Sequence, residues 1–78
     1  MITIKVKLNG INDIKSFCNK ASAQSFDIDV VSGRYIVDAK SIMGMFSLDL
    51  SRPVEVTIQA EKSECESFLT EIDNLIVK

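Results

Sequence analysis

The chain opens on a strict alternation. Ile2, Ile4, Val6 and Leu8 are separated by Thr3, Lys5 and Lys7, the period-2 pattern of a strand with one buried face. Polar Asn9-Gly10 ends that run, and the period changes. Ile11, Ile14, Phe17, Cys18 and Ala21 recur at helical spacing, with Asn9 or Asn12 placed to cap the first turn. Alternation returns in Phe26, Ile28 and Val30, and after Ser32-Gly33 in Tyr35-Ile36-Val37, which predicts a hairpin. A short helix is expected from Ile42. Behind Pro53, Val54, Val56, Ile58 and Ala60 alternate with Glu55, Thr57 and Gln59 as a fourth strand. Ser63 and Glu66 have capping-box spacing, opening a last helix whose apolar stripe is Cys65, Phe68, Leu69, Ile72, Leu75 and Ile76. The order β-α-β-β-α-β-α, with alternating strands, predicts an α+β fold. An antiparallel or mixed four-stranded sheet carries helices on its apolar side and meets water on the other.

Composition sets limits on this picture. A chain of 78 residues forms one domain, here residues 1–78, and has no room for a second core. With 46% hydrophobic and 26% charged residues it is expected to fold without a metal or a disulfide staple. Cys18 and Cys65 lie far apart in the chain, outside any C-x-x-C or metal-ligand spacing, and read as small buried hydrophobes. Free thiols, no signal-like leader and no long apolar stretch place the protein in a reducing cytoplasm, with no membrane partner. The net charge is −2 and the cations are spread along the chain without a cluster, so nucleic acid is not an expected partner. No cofactor site is expected either, and with no histidine, no Gly-rich phosphate loop and no metal spacing the chain does not read as an enzyme.

The short helix poses the main question. Around a helical wheel Met45 and Leu48 form one sector while Ile42, Met43 and Phe46 form another, so both cannot face one core. Either the helix is buried nearly all round, or one sector is a docking patch. Ser41 stands directly before it, with a hydroxyl placed to accept the backbone N–H of Met43 or Gly44. Capping alone explains that serine. A phosphate at the same position would also be tolerated by the helix N-terminus, and would add about −2 charge beside an apolar surface.

These residues resemble a known family. The run "KSIMGMFSL", Lys40 to Leu48, is similar to the regulatory-serine segment of HPr, the small phosphocarrier of the bacterial sugar phosphotransferase system. The resemblance implies an open-faced β-sandwich, a four-stranded antiparallel sheet with three helices on one face. It also implies that Ser41 is the site of an ATP-dependent kinase. Ile42, Met43 and Phe46 would then face phosphotransferase components or a transcriptional regulator. The family's active-site histidine and following Ala-Arg-Pro-Ala correspond here to "NGINDI". Gly10 falls at the histidine, Ile11 at the alanine, Asn12 at the arginine and Asp13 at the proline. Asp49 and Pro53 replace two further family glycines.

Two readings from different classes follow. One is an HPr-like regulatory module that cannot carry phosphate on histidine and is switched at Ser41, similar to the catabolite-repression HPr-like proteins. The other is a structural or decoy domain that binds a partner without phosphorylation. A third, smaller possibility is an acyl phosphate on Asp13, since carboxylates act as phosphoryl nucleophiles.

Overall fold

The computed structural model describes residues 1–77. The last residue of the expected domain, Lys78, lies outside the described residues. The elements are β1 (Ile2–Val6), α1 (Ile11–Ser22), β2 (Ile28–Ser32), β3 (Tyr35–Asp38), α2 (Ile42–Phe46), β4 (Val54–Ile58) and α3 (Lys62–Glu71). A short 3-10 turn, Asp73–Leu75, follows them. The strand order in the sheet is β1-β4-β2-β3, antiparallel at every pair, so the strand formed last in sequence separates the first two. Such interleaving forces two crossovers, β1-α1-β2 and β3-α2-β4. Crossovers of one hand place their helices on one face of the sheet.

Alternation decides which face that is. On β4, Val54, Val56 and Ile58 are buried while Glu55 is exposed, and their partners Val6, Ile28 and Val30 are buried in the same layer. Phe17 of α1 and Phe68 of α3 meet over this layer with ring centroids 6.1 Å apart. Phe26, just before β2, packs edge-on against Phe68 at 6.3 Å. The open face carries Thr3, Lys5, Asp29, Glu55 and Thr57, the polar positions of the alternating strands, together with apolar Val31 and Ile36.

Three local expectations are corrected. Neither Asn9 nor Asn12 caps α1: Gly10 occupies the N-cap position with no side-chain bond, and the Asp13 carboxylate accepts the Asn9 N–H at 2.9 Å instead. The capping box of α3 begins two residues before Ser63. The Glu61 N–H donates to the Glu64 carboxylate at 3.1 Å, and the helix is already under way at Lys62. Finally, α3 stops at Glu71, so Leu75 and Ile76 are not on it. The edge of β1 competes for that backbone. Lys7 N–H donates to the Leu75 carbonyl and Val77 N–H to the Lys5 carbonyl, both at 2.9 Å, and Ile76 pairs with Val6.

Both cysteines are free and buried. Desolvation raises the Cys18 thiol above its ordinary pKa, further from the reactive thiolate. Phe68→Ala removes the ring that α1, α3 and Phe26 share, and should cost about 3–5 kcal/mol in urea unfolding. A chromogenic thiol reagent should react slowly with the native wild type and much faster with that variant. Rapid labelling of native wild-type protein would contradict the burial of Cys18 and Cys65.

Candidate functional site

Helix α2 spans five residues, and one of them turns fully inward. Met45 is fully buried, whereas Met43 is 78% and Phe46 44% exposed; Ile42 is half-buried and packs partly on the core. From one of the two sectors the wheel offered Met45 is buried, while Leu48, two residues past the helix, packs only partly on the core, as Ile42 does from the other sector. Serines hold the helix at both ends through one residue. Ser41 Oγ accepts the Gly44 N–H at 3.2 Å, and Ser47 Oγ donates to the Gly44 carbonyl at 2.6 Å.

Gly44 was not singled out in the sequence, and its role follows from space. A Cβ there would stand 3.3 Å from Ser41 Oγ and 3.3 Å from Val37 Cβ, so glycine is what lets this turn sit against β3 with the serine bond in place. The segment leading into Ser41 is also tied down. Lys40 Nζ donates to the Gln24 carbonyl at 2.9 Å, while the Lys40 N–H donates to Asp38 Oδ1 at 2.9 Å. Ser41 is thus an exposed hydroxyl on a braced loop, flanked by apolar side chains that reach solvent.

The loop before α1 is built differently. Gly10 has φ 101°, a left-handed-side conformation that L side chains rarely adopt, although a Cβ would meet no atom within 4 Å. Ile11 beside it is exposed. Asp13 braces this loop through the Asn9 N–H, so its carboxylate already has a structural partner. At the other end of α2, Asp49 Oδ1 accepts both the Ser51 N–H at 3.0 Å and the Ser51 hydroxyl at 2.6 Å. Those two bonds hold the Asp49 carboxyl below its ordinary pKa. Asp49 therefore organises the turn that leads to Pro53 and β4, which offsets its unfavourable position after the C-terminus of α2. Among the described residues no cluster of His, Cys, Asp and Glu is arranged to hold a metal, and no helix is long and apolar enough to cross a membrane.

The sequence model of the family described as "PTS HPr component phosphorylation site" matches residues 12–78. The chain belongs to the HPr family. The crystal structure of HPr-C-His from Thermoanaerobacter tengcongensis superposes with a TM-score of 0.76 at 26% identity, covering 97% of this chain and 91% of that one. The phosphocarrier protein HPr of Bacillus anthracis gives 0.70 at 20% identity, over 91% of this chain and 95% of that one. A mycoplasma histidine-containing phosphocarrier protein gives 0.68 at 13% identity, over 94% and 86%. The last two likenesses speak for the HPr fold alone. Among curated proteins no sequence matches the chain. The HPr-family match begins at Asn12, two residues beyond Gly10, in a chain with no histidine.

Two substitutions test this geometry. Gly44→Ala raises intrinsic helix propensity by about 1 kcal/mol. Here it should nevertheless lower the midpoint of thermal unfolding, because the new methyl must displace Ser41 or Val37. Gly10→His meets no atom at its Cβ but forces an L residue into a positive-φ backbone. It should cost about 1–3 kcal/mol, measured by denaturant titration, with the fold retained by circular dichroism. A stabilised Gly44→Ala variant would show that the Ser41–Gly44 contact does not constrain the helix.

Proposed function

We propose that this HPr-family protein is a regulatory and interaction module of the phosphotransferase system, not a carrier of phosphate on histidine. Exposure of Met43 and Phe46 on the helix that the Ser41–Gly44 bond caps is the observation that carries the reading. Carrier chemistry needs a nitrogen nucleophile with a labile phosphoramidate, and the chain has no histidine. A serine phosphate ester is too stable to take over that relay. It suits a switch instead.

In this reading an HPr-type kinase phosphorylates Ser41, and Ile42, Met43 and Phe46 form the surface that a phosphotransferase component or a transcriptional regulator contacts. The phosphate adds about −2 charge and acceptor oxygens next to that surface. An apolar partner face would then have to desolvate a dianion, whereas a partner with a matching arginine would gain charge-assisted bonds. Phosphorylation thereby exchanges one class of partner for another without unfolding α2, whose first N–H groups favour an anion.

A second reading is supported by the loop at Gly10 and by the Asp49 turn, both unlike the HPr pattern. There the α2 surface binds a phosphotransferase protein as a decoy, with Ser41 serving only as a cap. Pull-down with Ser41→Ala and Phe46→Ala separates the two readings. The switch needs the serine, and incubation with an HPr kinase and ATP should add one phosphate at Ser41 by mass spectrometry. The decoy needs only Phe46. An unmodified Ser41, under conditions that modify ordinary HPr, would remove the switch. Asp13 is better explained as a brace of the loop before α1. Phosphoenolpyruvate with the general phosphotransferase enzyme should accordingly leave no hydroxylamine-sensitive label on it.

A further inference from the structure

We propose that a second copy of this chain pairs with it along the outer edge of β3, the two strands running antiparallel about a two-fold axis at Ile36. The proposal does not rest on phosphorylation of Ser41 or on the α2 surface.

β3 ends the sheet. Its register with β2 pairs Ser32 with Tyr35, Val31 with Ile36, Val30 with Val37 and Asp29 with Asp38. In an antiparallel ladder alternate residues spend both backbone groups on the neighbouring strand. The Ala39 N–H donates to the Ile28 carbonyl at 2.8 Å, which fixes that phase. Tyr35, Val37 and Ala39 face β2. The N–H and C=O of Ile36 therefore point away from the sheet, and no other segment among the described residues bonds to them. Side chains add to this: Tyr35 is 73% and Ile36 68% exposed. No proline, bulge or lysine in the strand blunts the edge. The opposite edge, β1, is by contrast covered at its end by the backbone of Leu75 and Val77.

The segment Arg34-Tyr35-Ile36-Val37-Asp38 is complementary to itself when reversed. With Ile36 on the two-fold axis, the two Ile36 residues exchange their free N–H and C=O bonds. Arg34 then lies opposite Asp38 of the other copy at both ends, and Tyr35 lies opposite Val37. Opposite charges and aromatic against β-branched are favourable cross-strand pairs. Sliding the axis one residue to Val37 keeps the hydrogen-bond phase but sets Arg34 opposite Lys40 and Ile36 opposite Asp38. Charge thus selects the register. A ribbon four residues long buries less than the roughly 1,000 Å² of a stable interface, so the pair is transient and concentration-dependent.

The test is sedimentation velocity of the full chain up to about 1 mM, with amide NMR shifts followed over the same range. Expected is reversible dimerisation that weakens with salt, with concentration-dependent shifts centred on Ile36. Arg34→Asp should weaken it by about ten-fold or more, because like charges then face each other at both ends. Asp38→Lys should do the same, and an equimolar mixture of these two variants should associate again, since both of its ends then pair opposite charges. Asp38 also bonds the Lys40 N–H, so Ile36→Lys, at an exposed position, provides a variant that leaves that turn intact; it too should abolish pairing. Circular dichroism confirms that each variant is folded. A wild-type monomer at 1 mM, association unaffected by Arg34→Asp and Ile36→Lys, or failure of the folded mixture to associate would each overturn the proposal. The first result would leave the edge to a strand of some other protein.

Discussion

The structure depends on β4. Its five residues pair with β1 on one side and four of them with β2 on the other, and Val54, Val56 and Ile58 supply the middle row of the buried layer. Until β4 inserts, β1 and β2 have no common neighbour, and Val6, Ile28 and Val30 lack the row against which they pack. Every helix lies in or after a connection made around this strand. α1 crosses over the place that β4 fills, α2 delivers the chain back to it, and α3 lies across the finished layer with Phe68 against Phe17 and Phe26. Loops are consequently part of the folding problem. The bonds of Asp49 to Ser51 shape the turn just ahead of β4, which gives that carboxylate a purpose in the fold independent of any partner.

Most of this was legible because strands and helices impose different periods. Each expected strand and helix is present, and the inward positions of β4 follow from alternation alone. Failures cluster at termini, where backbone satisfaction is decided by neighbours in space. At α1 a glycine with positive φ replaced the expected asparagine cap, and the acid three residues further on took over the bracing. At α3 the box formed two residues earlier than Ser63, because Glu61 and Glu64 answer the same geometric requirement. The end of α3 was not legible at all. An apolar stripe through Leu75 and Ile76 is compatible with a helix, but the open edge of β1 captured that backbone, and Leu75 remained buried from a 3-10 turn.

Helix α2 shows where periodicity stops deciding. Two apolar sectors on five residues are too many for one contact, and a wheel cannot say which sector prevails. The packing decides it: Met45 is buried and Met43 exposed, and at Gly44 an added Cβ would stand 3.3 Å from both Val37 Cβ and Ser41 Oγ, so that side of the turn has no room for a side chain. The candidate surface was visible in the sequence as a conflict, and packing resolved it.

The two edges of the sheet show the same economy of backbone bonds. An edge strand must be covered, shortened, charged or left available. On β1 the chain uses part of its C-terminal segment, Leu75 to Val77, as a cover, at the expense of the little more than one turn of helix that the apolar stripe would have supported. On β3 it uses shortness, and it places opposite charges at the strand's two ends. Those charges do not repel every incoming strand. A strand of uniform charge meets one favourable and one unfavourable end, the same strand in a shifted register sets Arg34 against Lys40, and the reversed copy pairs opposite charges at both ends. Arg34 and Asp38 act as a filter on what this edge can bind, and the chain's own β3 passes that filter.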